Sequence, residues 1–198
     1  LAITEHAGGH VFFGVRGEKL TRLRKETERL ASVYARDIEV LFGLECNLTG
    51  FGECDAPKDR SMFDVLLLAY HKGVVPRDGF LLKRSMEAAG LHKSEPELTA
   101  KALLAAAEKY RIDIFAHPGE YVKCDIGTLA RGAKELGTMI EINSRHVTLS
   151  PDDIRLIAKI GAVMRPDSDA HSPERVGELG PAIAAAAAAG VELPGDGL

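Results

Sequence analysis

The sequence has no tryptophan, little aromatic content (6%), and no apolar run near the roughly 18 residues that a membrane-spanning helix needs. A membrane partner is therefore not expected. Its three cysteines, Cys46, Cys54 and Cys124, are odd in number and form no Cys-x-x-Cys pair. That pattern argues against a disulfide framework and makes the cytoplasm the expected compartment. Cys46 reads as a small buried hydrophobe. Basic charge is not in excess either. With 25 Lys and Arg against 29 Asp and Glu the net charge is −4, and no stripe of interleaved basic and aromatic residues offers nucleic acid a surface. What remains is ordinary globular composition, 45% hydrophobic and 27% charged over 198 residues, enough for one domain spanning 1–198 with a sizeable core.

The informative residues are histidines and acids that close apolar runs. Ser168-Asp169-Ala170-His171 follows Ile160-Gly161-Ala162-Val163-Met164, which reads as a buried strand. Residues i and i+2 of an extended chain share a side, so Asp169 and His171 are expected to reach one cation together. Earlier runs end in the same way, at His6, Glu45, His71 and His117. One such ending is commonly structural. Repetition along the chain points to parallel strands whose carboxyl ends gather on one face, where α/β folds place their sites. Imidazole mixed with carboxylate, without thiolate, suits Zn, Mn or Fe.

Between these endings the helical signals alternate with strands. Leu20, Leu23, Leu30 and Tyr34 mark one face of a helix over about 18–35, whose basic residues form a solvated face. Further helices are expected over 78–89, over 94–110 with Ser94 and Glu97 as a capping box, over 125–136, and from Ser150-Pro151 to about 159. Ser172-Pro173-Glu174 is expected to open a last helix, with the alanine run 182–189 as a plain surface helix. A hairpin or loop is expected over 47–55. The alternation gives six visible strands in a parallel α/β architecture, and a ligand at nearly every strand end favours a closed barrel. Because Leu1 already lies inside what reads as a strand, an initiator methionine and some preceding residues are expected to be missing.

Ile3-Thr4-Glu5-His6, Gly43-Leu44-Glu45, the strand ending at His71, His117-Pro118-Gly119, Glu141-Ile142-Asn143 and Ser168-Asp169-Ala170-His171 occur in one order along the chain. In them the sequence resembles the PHP (polymerase and histidinol phosphatase) superfamily of metal-dependent phosphoesterases, its bacterial phosphatase branch most of all. The resemblance implies a distorted seven-stranded, TIM-like (β/α)7 barrel holding two or three divalent ions, Zn, Mn or Fe. It also implies metal ligation by His6, Glu45, His71, His117, Asp169 and His171. The family's opening His-x-His motif does not occur in the sequence, and Glu5 stands where Asp is usual. The first strand of such a barrel is therefore expected to be the part missing ahead of Leu1.

The expected activity is hydrolysis of a small-molecule phosphomonoester, histidinol-phosphatase-like, by a metal-bound hydroxide. Glu45 would bridge the ions and Asp169 would orient the nucleophile, these being the catalytic pair. Arg145, past a strand end, is placed to hold a phosphate oxygen, and His10 to touch substrate. His92 and His146 are expected to matter little. Two other readings stand: phosphodiester cleavage of nucleic acid, against which the acidic balance counts, and a metal-poor scaffold or regulatory domain.

Overall fold

Period-two alternation along parallel strands sorts the side chains of this chain into two layers. On β2 (Leu41–Gly50), Phe42, Leu44, Cys46 and Leu48 face one way, and on β4 (Val65–Ala69) Leu66 and Leu68 join them in the main core. The residues between them, Val65, Leu67 and Ala69, with Ile114 and Ala116, form a second, smaller apolar cluster on the other face. The main core lies beneath the helices and carries most of the apolar burial. The smaller cluster lines the concave side of the sheet and lies beneath the candidate site.

The computed structural model describes residues 1–193. Its sheet runs β1 (Ala2–His6), β2, β4, β5 (Ile114–Phe115), β6 (Met139–Asn143) and β7 (Met164–Asp167), each pair parallel, with β3 (Glu53–Cys54) antiparallel on β2. The register sets His6 opposite Glu45 and Glu45 opposite Leu67, so functional residues of adjacent strands stand at one level. The six parallel strands expected from the sequence are in place, plus the short β3. Among the described residues β7 does not pair with β1, and the sheet is a curled parallel half-barrel, consistent with the TIM-like barrel expected. A cavity of about 530 Å³ occupies the gap, lined by β1 from Leu1 to His6 on one side and by Asp167 to Ser172 on the other.

The helices cover the convex face: α1 (Glu18–Val33), α2 (Gly79–Ala88), α3 (Pro96–Tyr110), α4 (Ile126–Leu136), α5 (Pro151–Ile160) and α6 (Gly180–Ala188). Their starts follow cap chemistry. Asp78 accepts from the Leu81 N–H and Asp125 from the Thr128 N–H, and Ser150 forms a capping box with Asp153. Ser94 does not cap α3. Pro96 fills the first helical position and Glu95 precedes it without a side-chain cap. The stretch from Ser172 makes a single 3₁₀ turn at Pro173–Arg175 instead of a helix, and α6 begins later. The alanine-rich α6 is also more than a surface helix, since Ala182 and Ala186 are buried.

Two strand boundaries differ from expectation in ways that matter to the site. The run 160–164 is not one strand: Ile160 ends α5, Gly161 closes it at φ 82°, and β7 starts only at Met164. A left-handed glycine after the last helical residue is a strong stop, and it outweighs the apolar character of its neighbours. Glu45, conversely, lies within β2 rather than at its end. The strand continues to Gly50 because Leu48 and Gly50 pair with β3, the hairpin expected over 47–55. Gly43, two residues before Glu45, is needed where the sheet curls most tightly. A Cβ there would stand 2.4 Å from the Val65 carbonyl oxygen and 2.9 Å from Thr4 Cγ2.

Candidate metal centre

The buried Glu45 carboxylate is the hub. Its Oε1 lies 2.8 Å from His117 Nε2 and 3.1 Å from His71 Nε2, and its Oε2 lies 3.3 Å from His6 Nδ1. Burial pushes the Glu45 carboxyl up, but the His71 and His117 imidazoles together outweigh it and hold the acid well below the usual carboxylate range. His117 responds in the opposite sense. Burial would lower it, yet Glu45, Glu141 and Glu120 push it up to about 10. His6 is brought down to about 4, chiefly by burial, with Glu45 offsetting only part.

The backbone around each imidazole explains how it reaches the hub. His6 sits on the concave face of β1, in register with Glu45. His71 follows β4 by two residues and continues the inward row of Leu67 and Ala69. By strand alternation His117 should lie on the Phe115 side, away from the concavity. Its backbone instead adopts φ 65°, which breaks the alternation and turns the imidazole inward. Asp169 likewise has φ 45°. Non-glycine residues pay for that conformation in strain, and they cluster at functional sites.

A chain of polar contacts fixes the tautomers. Asn47 donates its Nδ2 to Asp55 Oδ2 at 2.7 Å, which leaves Asn47 Oδ1 to accept from His71 Nδ1 at 2.8 Å. Asp55 is itself held, accepting the Asn47 and Gly9 N–H groups at 2.6 Å each. With Nδ1 held to Asn47 by this network, His71 turns Nε2 toward Glu45 Oε1 and toward His117 Nε2, 3.3 Å away. Two imidazole nitrogens and a carboxylate oxygen then face one another around a small buried space. Such a set is resolved by shared protons or by a cation, and this donor chemistry suits a divalent metal. Among the described residues, His6, Glu45 and His71 offer ligand atoms all within 4.8 Å of one another.

The other half of the site is looser. Asp169 lies beyond the end of β7, its N–H bonded to Asp167 Oδ1 at 2.8 Å, and Asn143 donates to Asp169 Oδ2 at 3.2 Å and to Glu141 Oε2 at 3.0 Å. His171 is not set beside Asp169 by an extended chain. It folds back, with Nδ1 3.0 Å from the Asp169 carbonyl and 3.3 Å from Asp169 Oδ1, and its side chain is 54% exposed. Burial foremost, together with neighbouring Asp167, raises Glu141 well above the usual carboxylate range, and burial raises Asp167 too.

A cavity of about 490 Å³ joins the two halves, with His6, Glu45, His71, His117, Asp169 and His171 all in its wall. Arg145 and His10 line it as well. Arg145 is exposed at the mouth. His10 is 5% exposed and stacks on His6 at 4.9 Å. Its Nδ1 accepts the Phe12 and Phe13 N–H groups, and a backbone hydrogen bond at Lys72 engages the ring as well. That pattern ties His10 to its own turn.

Sequence reasoning missed several residues of this wall. His146, expected to matter little, places Nδ1 3.2 Å from Glu120 Oε1 and Nε2 3.8 Å from Asp169 Oδ2. Glu120 also lies 3.3 Å from His117 Nδ1, without the alignment of a hydrogen bond. Neither closes an apolar run, so the strand-end pattern could not select them. Asn47, two residues past Glu45 on the same face of β2, was open to the i, i+2 argument.

No protein-family model matches the chain. A curated protein of Syntrophotalea carbinolica (strain DSM 2380 / NBRC 103641 / GraBd1), named "Probable phosphatase", is 33% identical over 166 residues, covering 78% of this chain. The chain spans 62% of that relative's length. Among solved structures, it is similar to histidinol phosphate phosphatase from Lactococcus lactis subsp. lactis Il1403, complexed with zinc, L-histidinol and phosphate. The TM-score is 0.57 at 15% identity, over 97% of this chain and 82% of that one. The two share a fold.

Proposed function

We propose that the protein is a metal-dependent phosphatase of the PHP type, hydrolysing a small-molecule phosphomonoester. The observation that carries this reading is the convergence of His6, Glu45, His71 and His117 on one buried space, with ring nitrogens and carboxylate oxygens 2.8 to 3.3 Å apart. The similarity to a curated "Probable phosphatase" supports the same reaction class. The shared fold with a zinc-bound phosphatase agrees with it.

His6, Glu45, His71 and His117 would hold divalent metal at the tight end of the cavity, with Asp169 and His171 completing the open end. Bound metal supplies an acidified water and neutralises charge on the phosphoryl oxygens. The chain's own residues do the rest. Asn47 and Glu120 orient His71 and His117 from behind, as partners of ligating histidines commonly do. Glu45, kept ionised by its imidazole neighbours, offers two oxygens to different ligand pairs and so suits a bridging position. Asp169, held by Asn143, faces the cavity where a carboxylate can orient a water for attack on phosphorus.

Elemental analysis of the purified protein, with phosphate release from monoester and diester substrates in the presence and absence of chelator, tests the proposal. Bound transition metal and chelator-sensitive monoester hydrolysis are expected. A metal-free protein after expression in metal-supplemented medium, or turnover unchanged by chelator, would overturn it.

A further inference from the structure

The 490 Å³ cavity carries two cations in its wall, Lys72 and the Arg145 that the sequence placed to hold a phosphate oxygen. Some arginines elsewhere are committed to carboxylates, such as Arg60 to Asp113, Arg84 to Glu87 and Glu95, and Arg24 to Glu28. Neither Lys72 nor Arg145 has a carboxylate within ion-pair distance among the described residues. Both flank Tyr121. Lys72 Nζ lies 4.9 Å from the Tyr121 ring centroid, and Arg145 is close enough to act on its hydroxyl electrostatically. The acids of this wall have other partners. Glu120 is turned onto His117, His146 and the Tyr121 hydroxyl, and Asp169 onto Asn143 and His171, while Glu5 stands exposed on the β1 side.

Beside Lys72, on the turn whose Val11 N–H bonds to the Gly73 carbonyl, Phe12 and Phe13 are 79% and 67% exposed, which is unusual for such large apolar rings. Both line the same cavity. The His and carboxylate residues of the cavity therefore share its wall with exposed aromatic rings and unpaired cations. A leaving group extending from the scissile phosphate toward solvent meets these residues.

We propose that this rim is a second anion subsite: it selects a phosphomonoester whose leaving group bears its own anionic group, carboxylate or phosphate, held by Lys72 and Arg145. The assignment rests on the phosphatase reading for the position of the scissile phosphate at the floor. Two exposed charge contacts together are expected to give roughly a tenfold preference over a neutral leaving group.

Phenyl phosphate, 4-carboxyphenyl phosphate and 1,4-phenylene bisphosphate form a matched series in which only the distal group changes. With the full chain and added zinc or manganese, the two anionic esters are expected to show a KM about tenfold lower than phenyl phosphate. Lys72→Ala and Arg145→Ala should each reduce that ratio, and the double variant should bring it close to one. The two anionic esters distinguish a carboxylate from a phosphate preference. A ratio of one in the unaltered protein, or one that survives the double variant, overturns the subsite while leaving the phosphatase reading intact. Loss of phenyl phosphate turnover in Arg145→Ala equal to that on the anionic esters would place Arg145 on the scissile phosphate and likewise overturn it. Calorimetric binding of benzylphosphonate and 4-carboxybenzylphosphonate requires no turnover. A carboxylate preference there that the double variant abolishes, in a protein that hydrolyses none of the esters, would sustain the subsite and sink the phosphatase reading instead.

Discussion

The two halves of the cavity are built to different tolerances. Around Glu45, imidazoles from three parallel strands or their immediate ends meet one carboxylate at 2.8 to 3.3 Å. Around the Asp169 carboxylate, only Asn143 at the end of β6 comes from a strand, His146 stands off at 3.8 Å, and His171 is more than half exposed. Position on the sheet explains the contrast. Glu45 is clamped inside β2 between β1 and β4, whereas Asp169 and His171 follow the last residue of β7, whose outer edge has no partner among the described residues. Sites on regular elements are held more closely than sites on loops. The tight half holds His6, Glu45 and His71 with ligand atoms all within 4.8 Å of one another. The loose half leaves room for substrate to complete it.

Several experiments would break or sharpen this contrast, beginning with the largest effect. Glu45→Gln keeps the shape but removes the charge that three histidines face. On the order of a thousandfold loss of phosphate release is expected, since metal-centred charge stabilisation is worth several kcal/mol. Elemental analysis should show metal lost in parallel. If Asp169→Asn costs as much metal as Glu45→Gln, the two halves are equivalent and the contrast fails.

Next come the residues behind the ligands. Asn47→Ala and Glu120→Gln should weaken metal affinity by roughly ten- to a hundredfold, measured by competition with a fluorescent chelator. His146→Ala, in the loose half, should change KM more than metal content. A larger loss of metal from His146→Ala than from Asn47→Ala would reverse the order of the halves.

Two stability measurements follow. Gly43→Ala would press a Cβ against the Val65 carbonyl, and overpacking of this kind costs about 1–3 kcal/mol in urea unfolding. An unfolding midpoint equal to that of the unaltered protein would show that the curl beneath the tight half can relax. The smallest effect lies away from the site. Asp125→Ala removes the α4 cap and should cost about 1 kcal/mol, a few degrees in melting temperature. The Thr128 N–H and hydroxyl hold the Asp125 carboxyl below its ordinary value. The cap therefore contributes fully above the unfolded pKa of about 4, and its contribution disappears as pH falls through the lower folded value. The melting curves of the two proteins should converge in that acidic window and stay apart at neutral pH.

Much of the tight half was legible in the sequence because strand alternation and parallel pairing are local rules. His6, His71 and Glu45 were found from the ends of apolar runs, even though β2 runs on past Glu45 into its hairpin. The loose half was harder to read. An extended Asp169-Ala170-His171 was a reasonable expectation, but the φ of 45° at Asp169 belongs to a turn that nothing in the residue types announces. His146 and Glu120 meet only because the loops after β6 and β5 converge, a tertiary fact without a sequence period. The helix caps show the same division. Ser150-Pro151 specified α5 locally, while Ser94 was displaced from its role by Pro96.

The left-handed backbone at His117 has an evolutionary consequence. A residue forced into that conformation is kept there by what its side chain does, since glycine or asparagine would occupy it with less strain. Selection for thermal endurance alone would therefore replace His117 early, along with the buried Glu45 it accompanies. A lineage in which both persist is held away from its own stability optimum, as the proposed metal site would require. Position 117 thus gives a simple test of that proposal among descendants of this fold: those that have relaxed the strained histidine should also have lost bound metal.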